Sequence, residues 1–457
     1  MTLLIEHPDL ANASGAGQDG RIAGVAGLLA ASGMTAGRPL AVLTPSAAVV
    51  ALVLHAAWRL GCPLFPLDPS LPEGVLSDLL DTVDARHVVG ERDLAGRTMI
   101  RSADILRAEG RKPKTDVLAG TDAALLVATS GSTGRPKAVM LTAGSLMAAA
   151  HASAERLPLA TGDAWLACLP LFHIGGLSIL TRCALAGATA VLHDRFDAGA
   201  VLTTVDHRRI SHLSVVPAML GLLLEASADR PPPASLRHVL VSGAALSGGL
   251  ARRAAAAGWP IRPSYGMSET ASQLATLERL PADWRPGHVG RPLAGARIAV
   301  DADGRLRVRG PMLMAGYANP RLRPGDGLDD GWFLTSDAAE ITDAGELVIL
   351  GRLDDILVSG GHNIHPQMVE DMVGRCPGVT DVGISGRPDP LWGQRLVAVI
   401  VGSLTAEAFV DWCRTNVPSA FRPREAIKVA ALPVNSAGKL DRTRLRRLVA
   451  TAGACIW

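Results

Sequence analysis

Thr129-Ser130-Gly131-Ser132-Thr133-Gly134-Arg135-Pro136-Lys137 is the stretch that decides the reading of this chain. It follows Ala123-Ala124-Leu125-Leu126-Val127-Ala128, an apolar run of the kind that forms a buried strand. Hydroxyl residues and glycines then crowd into one short loop. Glycine lets a backbone bend closely around a phosphate, exposed N–H groups and hydroxyls donate hydrogen bonds, and Arg135 and Lys137 bring positive charge. A polyphosphate is the natural ligand. The loop is not a P-loop, which closes on Gly-Lys-Ser/Thr, because Lys137 is followed by Ala138. The bland alternative is a solvated Gly/Ser turn, since both residues dominate turns. The length and order of the run speak against it.

At 457 residues the chain has room for more than one domain. With 48% hydrophobic and 19% charged residues it reads as a soluble globular protein with ample core. A net charge of +2 gives no reason to expect nucleic acid or an anionic membrane as partner. Lysine is scarce, at 112, 114, 137, 428 and 439 alone, so each one is informative where arginine is the usual choice. Cys62, Cys168, Cys183, Cys376, Cys413 and Cys455 form no CxxC pair and read as buried thiols of a reducing compartment. The start lacks a signal-peptide pattern and no run is long enough to span a membrane, so a cytoplasmic protein is expected.

Taken in order, residues 1–20 read as a loose, Gly-rich start. Gly15 to Gly20 formally matches a dinucleotide fingerprint but follows no strand, which removes its context. Strands and helices then alternate: helix 21–31, strand 39–43, helix 47–60, strand 63–66, helix 74–83, strand 86–89. This alternation predicts a parallel, doubly wound sheet. Residues 91–118 read as irregular, and a helix is expected near 143–156. Further apolar strands are expected at 164–168, 211–216 and 238–241. From about 287 the pattern shifts to short strands (297–300, 305–308, 346–350), a β-rich subdomain. The remainder reads as a small α+β domain with helix 366–373, strands 379–384 and 396–401, and helix 406–414. The fold class is therefore α/β: a large N-terminal domain of doubly wound sheets plus a β-rich subdomain, then a small α+β domain.

The nonamer Thr129–Lys137 resembles the phosphate-binding signature of the adenylate-forming superfamily of acyl-CoA synthetases, luciferases and adenylation domains. Further segments match that superfamily in the same order. They are Leu169 to Leu177 around Phe172-His173, Ser242-Gly243-Ala244-Ala245-Leu246, Ser264-Tyr265-Gly266-Met267-Ser268-Glu269-Thr270, Gly316-Tyr317, Gly331 to Asp337, Gly351 to Asp355, Gly360 to Pro366, and Leu432 to Arg442. The resemblance spans about residues 20–445. It implies an N-terminal domain over 1–351 and a mobile C-terminal domain over 352–457.

The resemblance also implies a set of roles. ATP and then AMP would be held by Thr129, Ser130, Gly131, Ser132, Thr133, Gly134, Lys137, Gly243, Ala244, Ala245, Ser264, Tyr265, Gly266, Met267, Ser268, Asp337 and Arg352. Tyr265 offers a ring to stack on adenine, and Asp337 a carboxylate that can accept two ribose hydroxyl protons. Glu269, with Thr129, would serve Mg²⁺, a hard cation that prefers oxygen. Each has a plain alternative, a capping hydroxyl at Ser268 or a turn-forming aspartate at Asp337. Lys439, Glu269 and His173 are implied as catalytic. A lysine after glycine in a polar loop is ordinarily a solvated charge, but a compact ammonium is not interchangeable with guanidinium. Asp354 would be the hinge, and Gly360, Gly361 and His362 would line the path of CoA.

The implied reaction has two halves: a carboxylate attacks ATP to give acyl-AMP and pyrophosphate, then a thiol displaces AMP. Segments 172–180, 211–217 and 264–273 look like o-succinylbenzoate–CoA ligases of menaquinone synthesis, with other aromatic and medium-chain acid ligases close. The chain departs at Gly175, where many succinylbenzoate ligases carry Ser, which bears on the polar contacts to such a dicarboxylate. The acyl-pocket candidates His173, Val216, Ser242, Gly266 and Ser268 are small or neutral, and the sequence offers no evident Arg or Lys for a second carboxylate. Rival readings are transfer to a carrier-protein thiol, an oxygen-using luciferase-like member, and a nucleotide binder without chemistry. The last predicts loss of Lys439 or Glu269, and both are present. ATP, Mg²⁺, CoA and a small carboxylic acid are the expected partners, and a homodimer is one assembly the sequence allows.

Overall fold

The computed structural model describes residues 4–10, 15–110, 122–130, 136–434 and 439–452. Two sheets build the large N-terminal part. One runs, side by side, through Leu4–Glu6, Thr189–Leu192, Ala164–Ala167, His212–Val215, His238–Val241, Ile261–Met267 and Ser272–Thr276. Its neighbours are parallel until the last pair, which is antiparallel. The other runs through Gly316–Tyr317, Pro136–Thr142, Ala123–Ser130, Leu64–Pro66, Leu40–Leu43, His87–Gly90 and Thr98–Ile100. Parallel strands covered on both faces become unbroken apolar runs, as at Leu40–Leu43, where every residue is buried.

Helices Ala47–Arg59, Ala143–Arg156 and Ile174–Ala186 share one core with both sheets, through Leu52, Leu146, Leu177, Leu125 and Trp165 among others. Their starts follow from local chemistry. The Ser46 side chain accepts from Val49 N, and Thr142 and Ser145 form a reciprocal capping box. Each such cap is worth about 1 kcal/mol. A separate antiparallel sheet orders His288–Gly290, Leu347–Arg352, Phe333–Ile341, Arg305–Arg309 and Arg297–Val300. The C-terminal part has its own sheet of His362–Ile364, Leu357–Ser359, Gly393–Gly402 and Val379–Asp389, with Glu425–Lys428 parallel to Gly393–Gly402. Pro366–Val373 and Ala406–Asn416 pack on it around Leu357, Ile364, Val369, Ile384 and Phe409.

Three local expectations are corrected. The first helix begins at Gly15, not Arg21. Glycines lower helix propensity and so made the stretch read as loose. Residues 91–118 hold a strand, Thr98–Ile100, and a helix, Ser102–Arg107. A strand, Pro136–Thr142, stands between the phosphate motif and the helix that follows it. Among the described residues no helix is long and apolar enough to cross a membrane. Cys62, Cys168, Cys183, Cys376 and Cys413 are buried and unpaired; Cys455 lies outside the described residues.

Candidate active site

The phosphate motif forms the end of a hairpin. Ala123–Ser130 pairs antiparallel with Pro136–Thr142, so Thr129 faces Lys137 directly and Ser130 faces Pro136. Gly131, Ser132, Thr133, Gly134 and Arg135 lie outside the described residues. Lys137 sends its Nζ over the ring of Tyr317, 4.6 Å from the centroid.

The second motif is a reversal. Ile261–Met267 runs into a single 3-10 turn, Ser268–Thr270, and returns as Ser272–Thr276. Ala271 and Ser272 turn the chain with φ of 49° and 100°. A Cβ on Gly266 would lie 1.6 Å from the carbonyl oxygen of Ser272, so the reversal closes only over glycine. The Thr270 hydroxyl accepts from Met267 N at 3.1 Å. Glu269 thus sits in a rigid turn. The Ser264 hydroxyl, by contrast, faces inward. It donates to Ala275 O at 3.0 Å and meets Thr276 Oγ1 at 2.8 Å, in a buried network with Gln273 and Ser153. Its polar capacity is used inside the protein.

Two carboxylates converge here, each held by a tyrosine. The Tyr265 hydroxyl donates to Asp337 Oδ2 at 2.5 Å, and the Tyr317 hydroxyl donates to Glu269 Oε1 at 3.1 Å. Burial raises the pKa of both carboxyls. For Asp337 this is opposed by the Tyr265 hydrogen bond, Arg352 and Lys439. Arg352 lies opposite Asp337 across paired strands. It grips Asp354 with two bonds, at 2.8 and 2.9 Å, which hold the guanidinium pKa above its usual value.

Lys439 reaches the same place from the C-terminal part. A Cβ built on Gly243, which has φ of +84°, would lie 3.6 Å from Lys439 Cε and 3.3 Å from Val216 Cγ1. Lys439 is open to solvent along much of its length, yet desolvation of its ammonium lowers its pKa, with Asp337 opposing. His173 precedes the helix Ile174–Ala186. Burial and then the charge of Lys439 lower its pKa, and Asp68 opposes. His173 Nε2 is buried with no hydrogen-bond partner among the described residues. Ser242 donates its N–H to Val215 O at 3.2 Å, next to Val216. The structure therefore gathers Glu269, Asp337, Tyr265, Arg352, Gly243, Val216, His173 and Lys439.

One residue was missed. Arg182 is 3% exposed, and none of its guanidinium nitrogens has a hydrogen-bond partner among the described residues. It lies over the Trp165 ring, 5.2 Å from the centroid, and burial pushes its pKa down to about 10. Trp165 donates to Ser214 Oγ at 3.0 Å and stacks on His212 at 4.8 Å. His212 and Ser214 share one face of the strand His212–Val215, and both meet Trp165, over whose ring Arg182 lies. The signal in the sequence was a lone charge in the otherwise uncharged helix Ile174–Ala186.

Gly360 and Gly361, with φ of +57° and +81°, make the two-residue turn between Leu357–Ser359 and His362–Ile364. This turn belongs to a different set of contacts. It borders a cleft lined by Ser359, His362, Trp392, Arg422 and Arg424, with Arg424 4.8 Å over the Trp392 ring. Asp354 lies in the 3-10 turn Leu353–Asp355, and Asp355 pairs with Arg446 at 2.5 Å. That links the turn to the helix Arg442–Thr451, just after Lys439.

Among the described residues no cluster of three or more His, Cys, Asp or Glu could hold a metal. A single half-buried carboxylate such as Glu269 still fits Mg²⁺, which usually binds through one or two carboxylates and substrate phosphates.

Residues 18–318 match the family model described as AMP-binding enzyme, and residues 368–439 match its C-terminal domain. A 2-succinylbenzoate–CoA ligase of Bacillus licheniformis is 34% identical over 439 residues, covering 92% of this chain and 91% of that protein. The o-succinylbenzoate CoA synthetase of Bacillus subtilis in complex with the acyl-adenylate OSB-AMP superposes with a TM-score of 0.87 at 28% identity, over 99% of this chain and 96% of that one. A double mutant of the same synthetase, bound to the product analogue OSB-NCoA, gives 0.73 at 29% identity, over 98% and 96%.

Proposed function

The chain belongs to the AMP-binding enzyme family, and we propose that it joins an aromatic acid with a second carboxylate, o-succinylbenzoate or a close analogue, to CoA through an acyl-AMP. The observation that carries the ligase reading is Lys439 beside Gly243 and Asp337. An ammonium there meets the charge that builds as an acid approaches a phosphate.

In the first half-reaction an acid oxygen bonds to the α-phosphorus of ATP, and the bond to pyrophosphate breaks. The problem is bringing two anions together. Lys439 acts by charge at the reacting oxygens, and Lys137 acts at the departing phosphates. Asp337 receives the ribose hydroxyls, Tyr265 stacks on adenine, and Gly243 to Ala245 lie along the base. Mg²⁺, when bound, neutralises and orients the phosphates, and Glu269 with Thr129 would hold it. In the second half-reaction a C–S bond forms to the thiol, and the acyl–phosphate bond breaks to release AMP.

Residues 352–457 would turn about Asp354 between the halves, replacing Lys439 by the Gly360–His362 turn. The higher likeness to the adenylate-bound than to the CoA-analogue-bound relative supports a small domain standing here as it does for the first half. The cleft with Trp392, Arg422 and Arg424 suits the phosphorylated nucleotide of CoA. ATP and CoA as co-substrates suit a cytoplasmic enzyme, and a homodimer is compatible with all of these roles.

Arg182 supports the choice of acid. A buried guanidinium without hydrogen bonds is costly unless an anion meets it, and it answers the apparent lack of a cation for a second carboxylate. The test is pyrophosphate release with Mg-ATP and CoA across o-succinylbenzoate, benzoate, cinnamate and aliphatic acids, in wild type and Arg182→Met. The expected preference for o-succinylbenzoate over benzoate is on the order of ten-thousandfold, because a site built for a polar group rejects analogues that lack it. Arg182→Met should erase that preference and leave the KM for ATP alone. Equal use of benzoate by the wild type would overturn the dicarboxylate reading.

A further inference from the structure

The chain contains only two tyrosines, and the hydroxyl of each donates to one of the two site carboxylates. Tyr265 has a role in the reading above; Tyr317 has none. Tyr317 is held from several sides. Its short strand pairs with Pro136–Thr142, setting Tyr317 opposite Val139, and Ala315 N and Ala318 N donate to Met140 O and Ala138 O on that same strand. A Cβ on Gly316, with φ of +141°, would lie 2.9 Å from backbone atoms of Gly325 and Asp326. A Cβ on Gly327 would lie 2.5 Å from the Tyr317 ring, so glycine there admits the ring edge. The ring face carries the Lys137 ammonium, and the hydroxyl reaches Glu269. Just upstream, Met314 N donates to Glu269 O at 2.8 Å. One segment thus fixes Glu269 by both backbone and side chain while touching the last cation of the phosphate motif.

We propose that Tyr317 is a positioning residue for the nucleotide: its hydroxyl aims the Glu269 carboxylate and its ring holds the Lys137 ammonium, so that both meet the triphosphate and its divalent ion as one preset unit. This rests on the ATP-using reading above. An aromatic ring that also hydrogen-bonds serves both partners with a single side chain.

The test uses Mn²⁺ as the probe ion with a non-hydrolysable ATP analogue, bound Mn²⁺ being counted by electron paramagnetic resonance. Tyr317→Phe removes the hydroxyl and keeps the ring. It should weaken Mn²⁺–nucleotide binding about tenfold, the usual size of losing an outer partner of a metal ligand. Its melting temperature and its thioester formation from supplied o-succinylbenzoyl-AMP and CoA should match wild type. Tyr317→Leu should lose pyrophosphate affinity in addition, through Lys137. In a Glu269→Gln background, Tyr317→Phe should add nothing. Wild-type Mn²⁺–nucleotide binding by Tyr317→Phe, additivity with Glu269→Gln, or equal loss of both half-reactions would each overturn the assignment. If the wild type itself binds no Mn²⁺–nucleotide, the ATP-using reading fails and this inference falls with it.

Discussion

Two glycine turns, one beside Glu269 and one on the C-terminal part, are built on opposite principles. At Gly266 a side chain would land 1.6 Å from the Ser272 carbonyl oxygen, and the strand folds back on itself over that gap. At Gly361 a Cβ would meet nothing within 4 Å. The first glycine is demanded by the protein's own backbone. The second is needed for its φ of +81°, and the space above it is open. The Glu269 turn is thus a fixed platform, whereas in the second turn Gly360 lies under the Trp392 ring and Gly361 alone is open.

The largest effect should come at the residue that joins the two parts. Lys439→Ala should slow adenylate formation by about a thousandfold, the scale of a lost donor to developing charge, and leave thioester formation from supplied acyl-AMP little changed. Equal loss in both steps would end its assigned role. Gly266→Ala should cost about 3 kcal/mol or more, since overpacking here meets backbone rather than a movable side chain. Urea unfolding should show it, while Gly361→Ala should cost about 1–2 kcal/mol, the penalty of a left-handed alanine in open space. Similar costs at the two glycines would break the contrast. Gly361→Trp should slow the CoA step about a hundredfold by misplacing the thiol and spare pyrophosphate release; unimpaired ligation would mean that the turn does not border the thiol's path.

The contrast extends to pH dependence, where the two parts should respond in opposite senses. His212 is fully buried, and burial pushes it from 6.5 down to about 3. The unfolded chain takes up that proton first, so stability of the large part is full above pH 6.5 and falls as the pH drops toward 3. Burial, with repulsion from Glu370, pushes Asp371 from 3.8 up to about 8. Here the folded state holds the proton longer, so stability of the small part falls as pH rises through that window. Hydrogen exchange resolved by region should show acid loosening the strand His212–Val215, and a rise in pH from 3.8 to about 8 loosening the helix Pro366–Val373. Asp371→Asn should flatten the second response only.

The legible parts were those where local pattern and tertiary structure agree. The strand His238–Val241 and the helix Pro366–Val373 stand where their apolar pattern and the helix-starting proline put them. The reversal after Glu269 was illegible because it turns on left-handed Ala271 rather than on a glycine. The strand Pro136–Thr142 was hidden because its partner lies across the phosphate motif, and pairing is not a local property. The residues of the first and second motifs could be named from their order along the chain. Their arrangement could not: the inward turn of the Ser264 hydroxyl, the Tyr317–Glu269 bond and the burial of Arg182 depend on contacts between distant segments.

The most direct measurement is to mix the enzyme with Mg-ATP and o-succinylbenzoate without CoA, look for the acyl-AMP by mass spectrometry, and then add CoA. The expected result is o-succinylbenzoyl-AMP with pyrophosphate, then conversion to the CoA thioester with release of AMP. Release of ADP and phosphate, or no adenylate with any acid of the panel, would contradict an enzyme that activates acids through AMP.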